Sequence, residues 1–315
     1  VSDSTLDVLD YPEFGRKLSI EELLARVPEL ASFAEPIPLA FRAVGSTAFS
    51  PKDWRELASL ITRTAQDHSD VRGFVLPHGT ATLEETAYIL NLVLKTDQPV
   101  ILVGAQRPAS AVGSDAGANL LSAVRAALAD TARDMGVLVV LNDEIHAARE
   151  VTKTSTYRLH TFRSPDFGIL GHVDGDRVTF YRSPHRRHTQ SSIFDIGALD
   201  AFPRVDIAYS YAGVDGAAVE AFVGAGAEGI VSAGFAPGTP APLERTALEQ
   251  AAAKGVIVVQ ASRAGSGRVA RRRYLREMGM VAADNLNPQK ARILLALALT
   301  KTREPGDIQE IFDTH

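Results

Sequence analysis

Short apolar runs alternate with amphipathic segments of helical period through most of this chain. That alternation narrows the possible folds most, because strand, helix and strand in succession build a parallel sheet covered by helices. Residues 74–76 form one such run, and Leu83, Ala87, Leu90 and Leu94 then share a helical face. Thr82 followed by Glu85 predicts a capping box at the start of that helix. Further strands are predicted at 39–44, 99–103 and 137–141, with helices over 51–67 and 117–129. Ser19 is expected to cap a short helix running to Arg26, with Glu21 and Glu22 in its first turn. The run 137–141 is apolar throughout, as expected of a strand covered on both faces. Asp174-Gly175, between two β-prone runs, predicts a hairpin within 168–182. Residues 1–18 read as a loop.

The stretch 183–203 is polar and irregular, and alternation resumes beyond it. Strands are expected at 206–209, 229–232 and 256–259, with helices over 217–223, 242–254 and 288–299. Asn287-Pro288 opens the last of these with a cap and a proline at the first helical position. The fold class is therefore α/β with two domains, each a largely parallel sheet flanked by helices. The expected division is a larger N-terminal domain over 1–190, a linker over 191–203 and a smaller C-terminal domain over 204–315. His185-Arg186-Arg187-His188 reads as part of a solvated linker rather than a metal or phosphate site. Arg268, Arg271, Arg272, Arg273 and Arg276 read as surface salt-bridging residues.

Composition removes several function classes. The 315 residues contain no cysteine, which excludes a disulfide framework, a thiolate nucleophile and a Cys-ligated metal. The net charge of −5 argues against a broad nucleic-acid footprint. No apolar run approaches a membrane span, and no signal peptide opens the chain from Val1.

Chemistry is expected where a strand's carboxyl end meets a helix's N-terminus. Free N–H donors and the positive end of the helix dipole make a seat there for a carboxylate or phosphate. Four elements are candidates for one site: Ser46-Thr47, Thr80, the turn at Ala105, and Lys153. A threonine hydroxyl needs a base to take its proton, and a lysine serves only if burial or a neighbouring cation holds it neutral. Thr80 and Lys153 would then be a nucleophile–base or relay pair, with turn N–H groups forming an oxyanion hole. Asp143, Glu144 and His146 fit no strong metal-ligand spacing.

Four motifs resemble the bacterial-type L-asparaginase family, including its glutaminase-asparaginases. They are His78-Gly79-Thr80-Ala81-Thr82-Leu83-Glu84-Glu85-Thr86-Ala87; Val103-Gly104-Ala105-Gln106-Arg107-Pro108; Leu141-Asn142-Asp143-Glu144-Ile145 continuing to Val151-Thr152-Lys153-Thr154; and Leu286-Asn287-Pro288-Gln289-Lys290-Ala291-Arg292. The resemblance implies an amidohydrolase converting L-asparagine to L-aspartate and ammonia, with no metal or cofactor, and L-glutamine as a further substrate in some members. It implies a homotetramer of intimate dimers, in which the neighbour's C-terminal domain completes each site. By motif position Thr80 is the second catalytic threonine and Lys153 its lysine partner. Ser46 falls where the substrate's α-carboxylate binds, with Thr47 beside it, and Gly79 and Ala105 offer backbone contacts.

Three departures stand out. The family's Thr-Gly-Gly-Thr-Ile-type motif, which carries the primary nucleophile, occurs nowhere in the sequence. Val1 is expected to fall downstream of it, with Tyr11 a candidate lid residue. Ala81 stands where the family has an aspartate that anchors substrate and completes a Thr–Lys–Asp triad. Thr239 stands where an asparagine is common, and Arg272 falls near a carboxylate position, with Glu277 the nearest acidic substitute. An attenuated or inactive amidohydrolase is therefore expected. A non-catalytic amino-acid binder on the same fold is the alternative, and a tRNA-dependent amidotransferase subunit a third reading. The expected partners are small molecules and further copies of the chain, with no nucleic acid and no membrane. The expected compartment is cytoplasmic, with the periplasm left open.

Overall fold

The strand Val137–Leu141 is buried at every position because helices cover both faces of the sheet in which it lies. The computed structural model describes residues 2–3, 15–200 and 202–315, which divide into two units, Val1–Ser191 and Ser192–His315. Tyr11 lies outside the described residues.

In the first unit Ser2–Asp3 (β1) pairs antiparallel with Arg16–Lys17 (β2), where loop was expected. Ile20–Leu24 (α1) follows, capped by Ser19 as expected: the Ser19 hydroxyl accepts from the Glu22 N–H, and the Glu22 carboxylate accepts from the Ser19 N–H. The strand expected at 39–44 does not form. Pro36 and Pro38 remove two ladder donors just ahead of it, and Ile37, Leu39 and Val44 stay exposed. Pro51–Asp67 (α2) has the expected bounds, burying Trp54, Leu57, Ala58 and Ile61 at helical spacing.

The central sheet has six strands in the order β10-β9-β6-β5-β4-β3. Phe74–Pro77 (β3), Val100–Val103 (β4) and Val137–Leu141 (β5) run parallel. Leu83–Val93 (α3) follows β3, and Ala116–Leu128 (α4) follows β4. Glu144–Ala147 (β6) then turns back antiparallel to β5. The intervening Asn142 and Asp143 both have positive φ, at 54° and 61°, the backbone a two-residue hairpin turn favours. Thr152–Lys153 (β7) pairs antiparallel with Phe162–Arg163 (β8) in a separate ribbon. Gly171–Val173 (β9) and Val178–Phe180 (β10) form the hairpin expected around Asp174-Gly175 and close the sheet edge. One core joins Ile101, Val103, Leu138, Val140 and Ile145 to Leu120, Ala123 and Ala126 of α4. Helix α3 is buried almost all round, with Leu83, Ala87, Ile89, Leu90, Leu92 and Val93 fully buried.

The second unit holds a four-stranded all-parallel sheet in the order β11-β12-β13-β14. Its strands are Val205–Tyr209 (β11), Gly229–Gly234 (β12), Ile257–Ser262 (β13) and Val281–Ala282 (β14). Ala217–Gly224 (α5), Pro242–Ala253 (α6) and Arg273–Glu277 (α7) contribute Val219, Ala247, Leu248 and Leu275 to a core with Ile230 and Val258. Pro288–Leu299 (α8), with the expected bounds, starts at Asn287, whose side chain accepts from the Lys290 N–H at 3.1 Å. Pro305–Thr314 (α9) ends the unit. Within 191–203, Phe194 is fully buried, its ring centroid 5.4 Å from that of His315.

Candidate active site

The loop between β3 and α3 is held in place from three sides. The His78 N–H donates to the Val103 carbonyl at 2.7 Å, which ties the end of β3 to β4. The Thr82 hydroxyl donates to the Ser46 carbonyl at 2.9 Å, which ties the Ser46–Ala48 turn to the same loop. This bond replaces the capping box expected at Thr82, whose side chain makes no cap to α3. The Trp54 indole N–H donates to the Thr86 hydroxyl at 3.0 Å, and that hydroxyl lies 3.1 Å from His78 Nε2. His78 Nδ1 is 2.8 Å from the Gly79 carbonyl. A carbonyl only accepts, so Nδ1–H donates to Gly79, and in the neutral imidazole Nε2 accepts from the Thr86 hydroxyl. Burial pushes His78 down to about 4, outweighing the Gly79 carbonyl, which favours the charged form.

Two glycines set how closely these segments approach. A Cβ on Gly79 would lie 2.7 Å from Ser46 Oγ, and a Cβ on Gly104 would lie 2.9 Å from Thr80 Cγ2. Ser46, Gly79, Thr80 and the start of the Ala105 turn are therefore contiguous. Lys153 arrives on β7, and its Nζ donates to Thr80 Oγ1 at 2.8 Å. Lys153 is half-buried, and burial pulls its ammonium below the ordinary 10.5 against an opposing pull from the Glu84 carboxylate. Ser46 is buried and Thr47 beside it exposed. Ala81 is exposed next to Thr80, with a methyl that offers neither charge nor hydrogen bond.

Several supports carry little or no sequence signal. Asp115 accepts from the Gln106 and Arg107 N–H groups, each at 2.9 Å, closing the loop that carries Ala105. Asn119, one turn further on, donates to the Gly104 carbonyl and accepts from the Asn142 N–H. Glu84 in the first turn of α3 is buried and accepts from Thr152 and Lys153 of β7. An acidic residue at a helix start, with Asn four residues later, is the signal that could have found the Asp115 brace. Glu84 carries none, since first-turn glutamates usually serve the helix dipole alone.

Other candidates are engaged elsewhere. Asp143 accepts from Ser122 Oγ at 2.8 Å, and His146 Nδ1 meets Ser164 Oγ at 3.0 Å. Among the described residues, no three His, Asp or Glu side chains gather as a metal-binding group. His188 is half-buried, its Nδ1 3.0 Å from Thr189 Oγ1, while His185 and Arg187 beside it are exposed. The arginine cluster departs from uniform salt bridging. Arg268 pairs with Asp284 and Arg273 with Glu277, while Arg272 donates to the neutral Gln260 Oε1 and Gly238 carbonyl and lies 3.5 Å from Thr239 Oγ1. An open cleft of about 610 Å³ in the first unit contains none of the candidate residues. Its wall carries the Arg72–Asp130 and Arg133–Asp97 pairs, whose charges are already matched.

The family model described as "Asparaginase, N-terminal" matches residues 8–186, and "Glutaminase/Asparaginase C-terminal domain" matches residues 204–312. The chain belongs to the asparaginase family. Within that family it is 40% identical over 299 residues to "Probable L-asparaginase periplasmic" of Haemophilus influenzae, covering 94% of this chain and 85% of that one. It is 40% identical over 299 residues to "Glutaminase-asparaginase" of Pseudomonas fluorescens biotype A, covering 94% and 82%. A solved structure titled "Probable Cytoplasmic L-asparaginase" from Campylobacter jejuni superposes with a TM-score of 0.92 at 39% identity, over 95% of each chain. Asparaginase relatives thus carry names placing them in either compartment. Among the described residues, no helix of this chain is long and apolar enough to cross a membrane.

Proposed function

We propose that this protein is an L-asparagine amidohydrolase whose proton-handling pair is Thr80 and Lys153, attenuated by Ala81. The observation that carries the reading is the 2.8 Å hydrogen bond between Lys153 Nζ and Thr80 Oγ1, with the lysine's proton affinity lowered by burial. A lysine that loses its proton more readily can exchange one with a threonine hydroxyl.

In this account a threonine hydroxyl gives up its proton to the Thr80–Lys153 pair as its oxygen attacks the side-chain amide carbon, giving a tetrahedral oxyanion. The amide nitrogen takes a proton through the Thr80–Lys153 pair and leaves as ammonia. Water then cleaves the resulting ester to release aspartate and restore the hydroxyl. The attacking hydroxyl is that of a Thr-Gly-Gly-Thr-Ile-type motif where the protein carries one, and residues 1–315 contain none. Ser46, beside Gly79, is assigned to the substrate's α-carboxylate, with Thr47 next to it, and the backbone at Gly79 and Ala105 to polar contacts. Ala81 supplies no carboxylate for the substrate's ammonium group. The assembly is a homotetramer of intimate dimers, checked by light scattering for the mass of four chains. The glutaminase-asparaginase relative supports L-glutamine as a further substrate to assay beside asparagine.

The test is ammonia release from L-asparagine by the full-length protein with Ala81→Asp, beside the same protein also bearing Lys153→Met or Thr80→Val. Loss of a general acid–base group should lower kcat by about 100-fold or more. Undiminished turnover in both would remove the pair from the mechanism.

Ala81 favours a second reading, a non-catalytic amino-acid binder on this fold. Calorimetric binding of asparagine or aspartate without ammonia release, even with Asp at position 81, would support it.

A further inference from the structure

Thr80 and Lys153 lie 73 residues apart in sequence, so their contact depends on what holds the two segments together. Lysine has a long flexible stem, and fixing its Nζ beside one hydroxyl requires an anchored root. Glu84 is 6% exposed in the first turn of α3, directly after the loop that carries Thr80. Its Oε1 accepts from Thr152 Oγ1 at 3.2 Å and from the Lys153 backbone N–H at 3.3 Å. One carboxylate oxygen therefore grips the two residues of β7, while Lys153 Nζ reaches back to Thr80. A buried carboxylate is costly unless compensated, and its place at the positive end of a helix supplies part of the compensation.

We propose that Glu84 is a positioning residue of this site, clamping β7 to the N-terminal end of α3 so that Lys153 stays within hydrogen-bond reach of Thr80. The inference deepens the amidohydrolase reading and rests on it. The clamp has an electrostatic side as well. Among the described residues, the charge acting on Lys153 is that of Glu84, which opposes the effect of burial. Thr80 and Thr152 bring neutral hydroxyls, and burial keeps His78, two residues before Thr80, neutral above about pH 4.

Two measurements test it. The first needs no turnover: the titration of Lys153, followed by NMR of labelled lysine Cε, in the parent chain and in Glu84→Gln. Glutamine keeps an acceptor oxygen but removes the charge that opposes burial, so the midpoint should fall. An unchanged midpoint overturns the proposal. The second uses the full-length protein with Ala81→Asp. There Glu84→Ala should lower kcat about tenfold or more with KM within about twofold, and Glu84→Gln should recover most of kcat with its acid limb moved to lower pH. Glu84→Ala that lowers thermal stability while leaving kcat and the pH profile at parent values reduces Glu84 to a structural role and overturns the proposal. If the Ala81→Asp protein releases no ammonia, the amidohydrolase reading fails by itself, and the Lys153 titration still decides the clamp. The same titration decides if Glu84→Ala does not fold.

Discussion

Protonating His78 should unfasten the loop that carries Thr80, and the effect is measurable as acid sensitivity of folding. The imidazole is buried between the Thr86 hydroxyl and the Gly79 carbonyl, and burial places its folded value at about 4 against an ordinary 6.5. The unfolded chain therefore takes up this proton at higher pH than the folded one does. Stability from this group is fully present above about pH 6.5 and is lost as pH falls toward 4. At about 1.4 kcal/mol per decade, the gap corresponds to a loss of about 3 kcal/mol by about pH 4. That is a large share of the 5–15 kcal/mol that holds a typical domain folded. Buried and paired carboxylates also lose stability in acid, so the measurement is a difference. Urea unfolding at about pH 7.5 and about pH 4 is compared between the parent and His78→Gln, which cannot titrate. The parent should lose about 3 kcal/mol more than the variant over this range. Parallel losses would refute the reasoning and place the acid sensitivity elsewhere.

Two further perturbations probe the supports of the site. Gly79→Ala puts a methyl 2.7 Å from Ser46 Oγ and 2.9 Å from Ser46 Cβ. It should cost about 1–3 kcal/mol in denaturant unfolding and weaken asparagine binding by calorimetry. Asp115→Ala removes the acceptor for two backbone N–H groups of the Ala105 loop. A similar cost of about 1–3 kcal/mol is expected, with faster amide hydrogen exchange at Gln106 and Arg107.

Elements with a local signal are legible in the amino-acid sequence alone. Pro51–Asp67, Val137–Leu141 and Pro288–Leu299 have the bounds expected from periodicity, a proline at the first helical position, or an unbroken apolar run. The 168–182 hairpin follows from Asp174-Gly175 for the same reason. Thr80 and Lys153 are candidates from the chemistry a strand-to-helix turn can support, and they prove to be in contact. What is not legible depends on tertiary partners. Residues 39–44 have strand-like composition but no ladder to join. Thr82 satisfies the Ser46 carbonyl in place of its own helix end. The role of Glu84 needs β7 folded against α3 before it exists. The antiparallel return of β6 hides behind Asn142 and Asp143, whose shared positive φ is a backbone property of the folded turn.

The most direct measurement is ammonia release from L-asparagine by the full-length protein as Ala81 and as Ala81→Asp. Restoring a charge-assisted contact worth a few kcal/mol should raise turnover on the order of 100-fold. That result would establish the amidohydrolase and identify the Ala81 methyl as what limits it. If neither form releases ammonia while both bind asparagine, the hydrolytic account is contradicted and the chain is an amino-acid binder on an asparaginase fold.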